Sequence, residues 1–268
     1  MEKTIGFVGC GNMATAMIQG LIQAGVSSDE IIASDHSLEK LVQIQNKYHI
    51  HVGSNTDVAK NAKFVILAVK PKDIDAALAE IKDEFTDETI VVSFAAGVTV
   101  ESLEVKLPET IKVLRMMPNT AVALNCGVIA VVPGKNINGI DLDAVEQLFA
   151  KVGMFITVDE KKMHGEIGLS GSAIAMFYLM ADAMGDAGVK LGFTKTEAIR
   201  LAGATMAGAG AMILQSGKHP IQLKDEVCSP GGTTIEMVRN LEANAFRTAV
   251  IEAVLAAAQK SKDLSEGK

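Results

Sequence analysis

The run Thr4-Ile5-Gly6-Phe7-Val8, followed at once by Gly9-Cys10-Gly11-Asn12-Met13-Ala14, constrains the fold more than any other feature of this chain. A short buried-strand pattern leads into Gly-x-Gly-x-x-Ala. A helical pattern with apolar Met13, Met17, Ile18, Leu21 and Ile22 comes next, and Ile31-Ile32-Ala33-Ser34-Asp35 reads as a second strand. A tight turn at Gly9, backbone open to close approach at Gly11 and a small Ala14 where helix meets strand are what a dinucleotide-binding βαβ unit requires. Asp35 stands where a carboxylate accepts hydrogen bonds from the adenosine ribose of NAD and repels the extra phosphate of NADP. It would serve equally as the N-cap of the next helix. No Arg follows it; the neighbours are His36 and Ser37, with Lys40 a turn later.

Three further βα units follow by periodicity. Phe64–Val69 reads as a buried parallel strand ending in Lys70-Pro71. Thr89–Phe94 ends at Ala95-Ala96-Gly97, and Lys112–Met117 ends at Pro118-Asn119-Thr120. Small or turn-forming residues thus fall at the carboxyl ends of the strands, where such sheets bind ligands. A strand at Val128–Val132, a helix at Asp143–Lys151 and a last strand at Met154–Val158 complete this half.

From His164 onward the pattern is helical, over roughly 164–187, 195–216, 233–242 and 244–262, with a short turn at 220–227. The stretch Ala202–Ala211 is Ala and Gly apart from Thr205 and Met206. Glycine disfavours an isolated helix, so this face makes sense against a closely crossing helix. An intertwined dimer supplies one; packing within a single subunit supplies the other. The segment Ser229-Pro230-Gly231-Gly232-Thr233-Thr234 carries no charge, yet it suits a small anion. Pro230 fixes a dihedral, the two glycines admit unusual backbone, and a helix starting at Thr233 would aim free amides at a carboxylate. The plainer reading is a loop closed by a Thr N-cap.

An acid–base residue is missing from the segment where alcohol oxidation would need one. Gly168-Leu169-Ser170-Gly171-Ser172-Ala173-Ile174-Ala175 offers only hydroxyls and apolar groups, and His164 and His219 have no evident partners. A protonated cyclic imine brings its own proton. For that substrate a hydride donor, a carboxylate clamp and a hydroxyl near the ring nitrogen suffice.

Bulk properties narrow the class. At 268 residues there is ample core for two domains. Hydrophobic residues make up 49%, with aromatics at 4% and no Trp, so the core is aliphatic. A net charge of −7 argues against nucleic acid or anionic membrane as partner. Cys10, Cys126 and Cys228 share no close spacing, which fits a reducing cytoplasm and neither a disulfide framework nor a metal site. The start has no signal-peptide pattern. The most membrane-like stretch, Leu201–Leu214, is too short to span a bilayer, which takes about 20 residues. The expectation is a soluble, cytoplasmic protein.

Taken together, the whole chain resembles the pyrroline-5-carboxylate reductases, which complete proline synthesis. The most specific match is the 223–242 segment, with Leu223, Val227, Ser229, Gly231-Gly232-Thr233-Thr234, Leu241 and Glu242. Gly9-x-Gly11-Asn12-Met13-Ala14, Ala68-Val69-Lys70-Pro71, Ala95-Ala96-Gly97 and Arg115-Met116-Met117-Pro118-Asn119 match as well. The resemblance implies an α/β Rossmann-type domain with a mostly parallel sheet, followed by an all-α dimerisation domain. With the change of pattern, it divides the chain at 1–162 and 163–268. It implies cofactor contacts from Gly9, Gly11, Asn12, Met13, Asn55, Val69, Lys70, Pro71 and Ala96, to which the strand-end argument adds Asp35. It implies a substrate carboxylate on the amides of Gly232, Thr233 and Thr234, with Ser229 shaping the pocket and the Thr234 hydroxyl on the ring nitrogen as the catalytic contact. The cofactor would be NADP(H), with NAD(H) possible. The assembly would be a homodimer through the C-terminal helices, or a ring of such dimers, with each site built from two subunits.

Two positions depart from the family pattern. Ala173-Ile174 stands where Gly-Pro is usual, which changes the helix entry. Asp35-His36 stands where many members carry Asn-Arg, which suits the NADP phosphate. Three rivals follow from these features. A β-hydroxyacid dehydrogenase would need a catalytic Lys near Met176, yet none occurs there before Lys190. A reductase of a related cyclic imine fits the altered 173–174 pair. A non-catalytic NAD(P)-binding protein fits a degenerate pocket, against which the intact 229–234 run argues.

Overall fold

The structure, a computed structural model, describes residues 3–266. The chain forms two compact units: a first that runs through Gly171 and resumes at Ala257, and a second of Ser172–Ala256.

In the first unit, strands and helices alternate as β1 (Lys3–Val8), α1 (Asn12–Gln23), β2 (Ile31–Ser34), α2 (Leu38–Tyr48), β3 (His51–Val52), α3 (Asn55–Asn61), β4 (Ala62–Leu67) and α4 (Ile74–Ile81). They continue as β5 (Ile90–Ser93), α5 (Val100–Glu104), β6 (Lys112–Pro118), β7 (Gly127–Pro133), α6 (Gly139–Phe149) and β8 (Gly153–Thr157). The strands make one eight-stranded sheet in the order β3-β2-β1-β4-β5-β6-β7-β8. Chain order reverses between β1 and β4, which opens a crevice at their carboxyl ends.

All neighbours are parallel except β6 and β7. The connection explains the exception. Residues 119–126, which include a 3₁₀ turn at Thr120–Leu124, are too few for a crossover of a dozen or more residues. α6 supplies such a crossover between β7 and β8, and those two are parallel again. The β6–β7 turn also seats α1: a Cβ placed on Gly20 would lie 2.0 Å from the Val122 carbonyl oxygen, so only glycine fits.

Near-continuous apolar strands are what a sheet covered on both faces demands. One face buries Ile5, Phe7, Ile66, Val92 and Met116 against Met17, Ile18 and Leu21 of α1. The other buries Val8, Val65, Leu67, Val91 and Val113 against Ile74, Leu78 and Ile81 of α4. Arg115 lies within the second face with no exposure at all, its guanidinium paired to Glu160. The expected strands are all present, with small shifts at their ends. α4 and α5 are the helices of two of the three expected βα units. The third is not formed, because only the 3₁₀ turn Thr120–Leu124 follows β6, and the two-residue β3 and helix α3 are additions to the sequence reading.

Beyond β8 the first unit holds α7 (Met163–Glu166) and a π-helical turn at Ile167–Gly171. The second unit holds α8 (Ala173–Lys190), α9 (Lys195–Gln215), α10 (Pro220–Glu226), α11 (Thr233–Ala243) and the start of α12 (Phe246–Ser265). Residues 220–227, expected as a turn, are mostly helical: Pro220 sits at the first helical position and His219 caps it, Nδ1 accepting from the Ile221 amide at 3.2 Å. The small-residue face of α9 is used in two ways. Its first turns pack within the unit, where a Cβ on Gly188 would meet that of Ala198 at 2.3 Å. A Cβ on Gly203, Gly208 or Gly210 would meet no other part of the described chain within 4 Å.

The π turn joins α7 to α8, so the helical run at Glu160–Lys190 is 31 residues long. Among the described residues this run, and not Leu201–Leu214, is the one long and apolar enough to cross a membrane by length and composition. Several of its apolar side chains, among them Phe177, Tyr178 and Leu179, are exposed in the single chain, while Met163 and Ala173 are buried.

Candidate active site

The loop after β1 turns as its sequence requires. Gly9 has φ +99°, and its amide donates to the Ser34 carbonyl at 2.8 Å. A side chain there would be strained in any event, and its Cβ would meet the Ala68 carbonyl at 3.0 Å. Gly11 is the N-cap of α1 and has no side-chain cap. A Cβ on Gly11 would touch nothing within 4 Å. The protein itself therefore leaves this space open, and the first amides of α1 point out of the helix with no protein cap. An unobstructed glycine at an uncapped helix start is the fit a pyrophosphate needs. Asn12 is exposed, Met13 half-buried against the core, and Ala14 fully buried under the strand.

Asp35 does not cap α2. That role belongs to Ser37, whose Oγ accepts from the Lys40 amide at 3.4 Å. Asp35 instead accepts from two backbone amides, Cys10 at Oδ2 and Ser37 at Oδ1, both at 2.8 Å. The Cys10 thiol, buried beside that carboxylate, is pushed up to about 12, by burial first and by the Asp35 charge second.

Asn55 begins α3 and is held from both sides. Its Oδ1 accepts from the buried Ser34 hydroxyl, and its Nδ2 donates to Glu80 Oε2, each at 2.7 Å. Gly9, Asp35, Asn55 and Val69 line one pocket, together with His36, Asp73 and Glu80. Lys70 and Pro71 are exposed at the start of a 3₁₀ turn after β4, and Ala96 is exposed after β5. The sequence reading missed Asp73 and Glu80. Asp73 ends the 3₁₀ turn that leads into α4 and Glu80 lies on α4, and their contact with the pocket follows from packing and from no motif.

In the second unit, Gly231 has φ +66° and Gly232 is the N-cap of α11 with no side-chain cap. A Thr N-cap is thereby excluded: Thr233 and Thr234 are the first two helical residues. The Gly232 amide donates to the Ser229 carbonyl at 3.0 Å, closing the turn. The gap beside Gly232 is narrow, since a Cβ there would lie 2.3 Å from Ser229 Oγ. Ser229 and Thr233 are exposed and Thr234 is half-buried. Uncapped amides at this helix start suit a carboxylate.

The segment read as free of ionisable groups has one next to it. Glu166 ends α7, accepts a hydrogen bond from Ser170, and has its carboxyl pushed up by burial, against the opposing pull of Ser170 and Arg115. Its Oε2 is buried with no hydrogen-bond partner among the described residues. His164 also has a partner, Ser261 Oγ at 3.0 Å from its Nδ1, from the end of α12. The Glu166–Ser170 pair is four residues apart on one helical run, a spacing the sequence shows, whereas His164–Ser261 spans 97 residues and has no local signature.

The chain matches known families over both regions. Residues 160–264 match the family described as pyrroline-5-carboxylate reductase dimerisation, and residues 4–97 match that described as NADP oxidoreductase, coenzyme F420-dependent. A pyrroline-5-carboxylate reductase of Methanosarcina acetivorans is 39% identical over 267 residues, 99% of each chain. The crystal structure of the Coxiella burnetii enzyme of that name superposes with a TM-score of 0.88 at 34% identity, covering 98% of this chain and 99% of that one. The Plasmodium falciparum pyrroline carboxylate reductase, solved with NADP bound, gives the same TM-score at 29% identity, covering 98% of each chain. An α/β dinucleotide-binding sheet followed by a helical dimerisation region, at this identity over nearly full length, shows that the chain belongs to the pyrroline-5-carboxylate reductase family.

Proposed function

We propose that this protein reduces 1-pyrroline-5-carboxylate to L-proline with NADP(H), NAD(H) also being accommodated. The uncapped, glycine-led start of α11 carries the reading, because it presents backbone amides and two hydroxyls with no charged side chain in the run.

Gly9, Gly11, Asn12, Met13, Asp35, Asn55, Val69, Lys70, Pro71 and Ala96 hold the dinucleotide, the pyrophosphate falling to the α1 amides. The reduced nicotinamide supplies the hydride. The amides of Thr233 and Thr234 hold the substrate carboxylate; the Gly232 amide, expected beside them, is already donated to the Ser229 carbonyl, and Ser229 shapes that turn. The Thr234 hydroxyl accepts a hydrogen bond from the protonated ring nitrogen and fixes which face of the imine is open. As the new C–H bond forms at the imine carbon, the C=N π pair moves to nitrogen and neutralises its charge. The nitrogen keeps the proton it arrived with, so no side chain must ionise. Catalysis is then positioning and electrostatics.

The protein works in the cytoplasm as a homodimer through the C-terminal helices, with a ring of dimers as the larger assembly. The exposed apolar residues of α8 and α9 support that assembly. The test is oxidation of NADPH and of NADH, followed separately on adding pyrroline-5-carboxylate to pure protein. Turnover is expected; none from folded, cofactor-binding protein would overturn the reading. Ala173-Ile174 at the start of α8 favours one alternative, a related cyclic imine, and turnover of that imine alone would identify it.

A further inference from the structure

The pocket beside the Gly9 turn is acidic. Among the described residues, Asp35, Asp73 and Glu80 line it, no Lys or Arg does, and His36 is its one basic group. Two of these carboxylates are fixed in place. Asp35 is held by the Cys10 and Ser37 amides. Glu80 is held by Asn55 Nδ2, and the Asn55 amide is itself oriented by Ser34, which is 2% exposed and also donates to the Phe7 carbonyl at 3.3 Å. The relay Ser34–Asn55–Glu80 therefore ties a surface carboxylate to the buried end of β2. A negative charge so held does not swing away when another approaches.

We propose that Glu80, with Asp73, is a determinant of cofactor selectivity in this chain: the two carboxylates on the α4 side oppose a 2′-phosphate and hold down the preference for NADPH over NADH. The inference rests on the reading that this pocket takes the adenosine ribose. A 2′-phosphate brings between one and two negative charges to the pocket, whereas the ribose hydroxyl of NADH brings none. Residues contributed by α4 thus act on the choice alongside Asp35, the residue that the strand-end motif singles out. The pocket is open to solvent, so each charge acts through a screened field and its effect is several-fold.

Dissociation constants for NADPH and NADH would be measured directly, by calorimetry on the full chain, for the wild type and for Glu80→Gln, Asp73→Asn and Glu84→Gln. In Glu80→Gln the new side chain can still accept from Asn55 through its amide oxygen, so the relay survives while the charge goes. Glu84 is paired with Lys60 at 3.5 Å, is not among the residues lining the pocket, and controls for net charge. The expected result is an NADPH-to-NADH affinity ratio raised about threefold by Glu80→Gln and by Asp73→Asn, and unchanged by Glu84→Gln. A ratio unmoved by the first two, or moved equally by all three, would overturn the inference while leaving the pocket a dinucleotide site. Wild-type protein that is folded by circular dichroism yet binds neither dinucleotide would instead sink the reading of the pocket, and the inference with it.

Discussion

The Cys10 amide donates to Asp35 Oδ2 at 2.8 Å, so the glycine-rich turn and the end of β2 are joined by a carboxylate before any ligand arrives. The same carboxylate raises the Cys10 thiol, after the larger effect of burial, to about 12. Cys126, by contrast, is exposed. At pH 8, iodoacetamide should label Cys10 on the order of a thousandfold more slowly than Cys126, because only the thiolate reacts. Asp35→Asn should speed Cys10 labelling without bringing it near the Cys126 rate, since burial remains. Equal rates in the wild type would refute the buried, charge-opposed thiol.

Arg115 is buried without exposure and its charge is met by Glu160, while its Nε and Nη2 have no hydrogen-bond partner among the described residues. Arg115→Ala removes one partner and opens a cavity, so it should lower unfolding stability by about 3 kcal/mol. Arg115→Met combined with Glu160→Gln removes both charges and fills the space, and should lose much less. Urea midpoints of the two variants decide; equal losses would rule out the ion pair as the cause.

Glu166 gives a pH dependence whose sign follows from burial. Its carboxyl is raised in the folded state, whereas the unfolded chain ionises it near its ordinary value of about 4.3. Its contribution to stability is therefore fully present below that value and is lost as pH rises through the folded one. Glu166→Gln should melt higher than the wild type at pH 7 and lose that advantage at pH 4. A difference in melting temperature that stays constant across this range would contradict the assignment.

The turn before α11 separates strain from function. Gly231 has φ +66° with open space around it, so Gly231→Ala should lower stability by about 1 kcal/mol through backbone conformation alone. Thr234→Ala should cut turnover about tenfold to a hundredfold and leave cofactor affinity unchanged, as loss of one transition-state hydrogen bond requires. Steady-state rates beside a direct cofactor titration test this. Unchanged turnover would remove Thr234 from the mechanism.

What the sequence made legible was local. The Gly9 turn, the strands and the Gly231-Gly232 helix start are each specified by neighbouring residues, so pattern alone places them. The antiparallel β7 follows from the eight-residue connection at 119–126, a signal available in the sequence and passed over. β3 is only His51-Val52, too short for any alternation to show. Asp73 and Glu80 were invisible as pocket residues because tertiary packing, and no motif, brings the end of the 3₁₀ turn and α4 to the pocket, where Glu80 meets Asn55. The Ser37 cap likewise had to be seen, since Asp35 and Ser37 are both good capping residues and geometry chose between them.

The uncovered helices bear on how the protein reaches its native state. Leu179, Leu201, Leu214 and Met237 are between 56% and 74% exposed in one chain, within the residues 160–264 that match a dimerisation family. Encounter then becomes a folding step, with a rate that scales as the square of protein concentration. Thermal stability climbs with concentration by mass action. A cell that makes few copies would leave these apolar helices uncovered for longer than one that makes many.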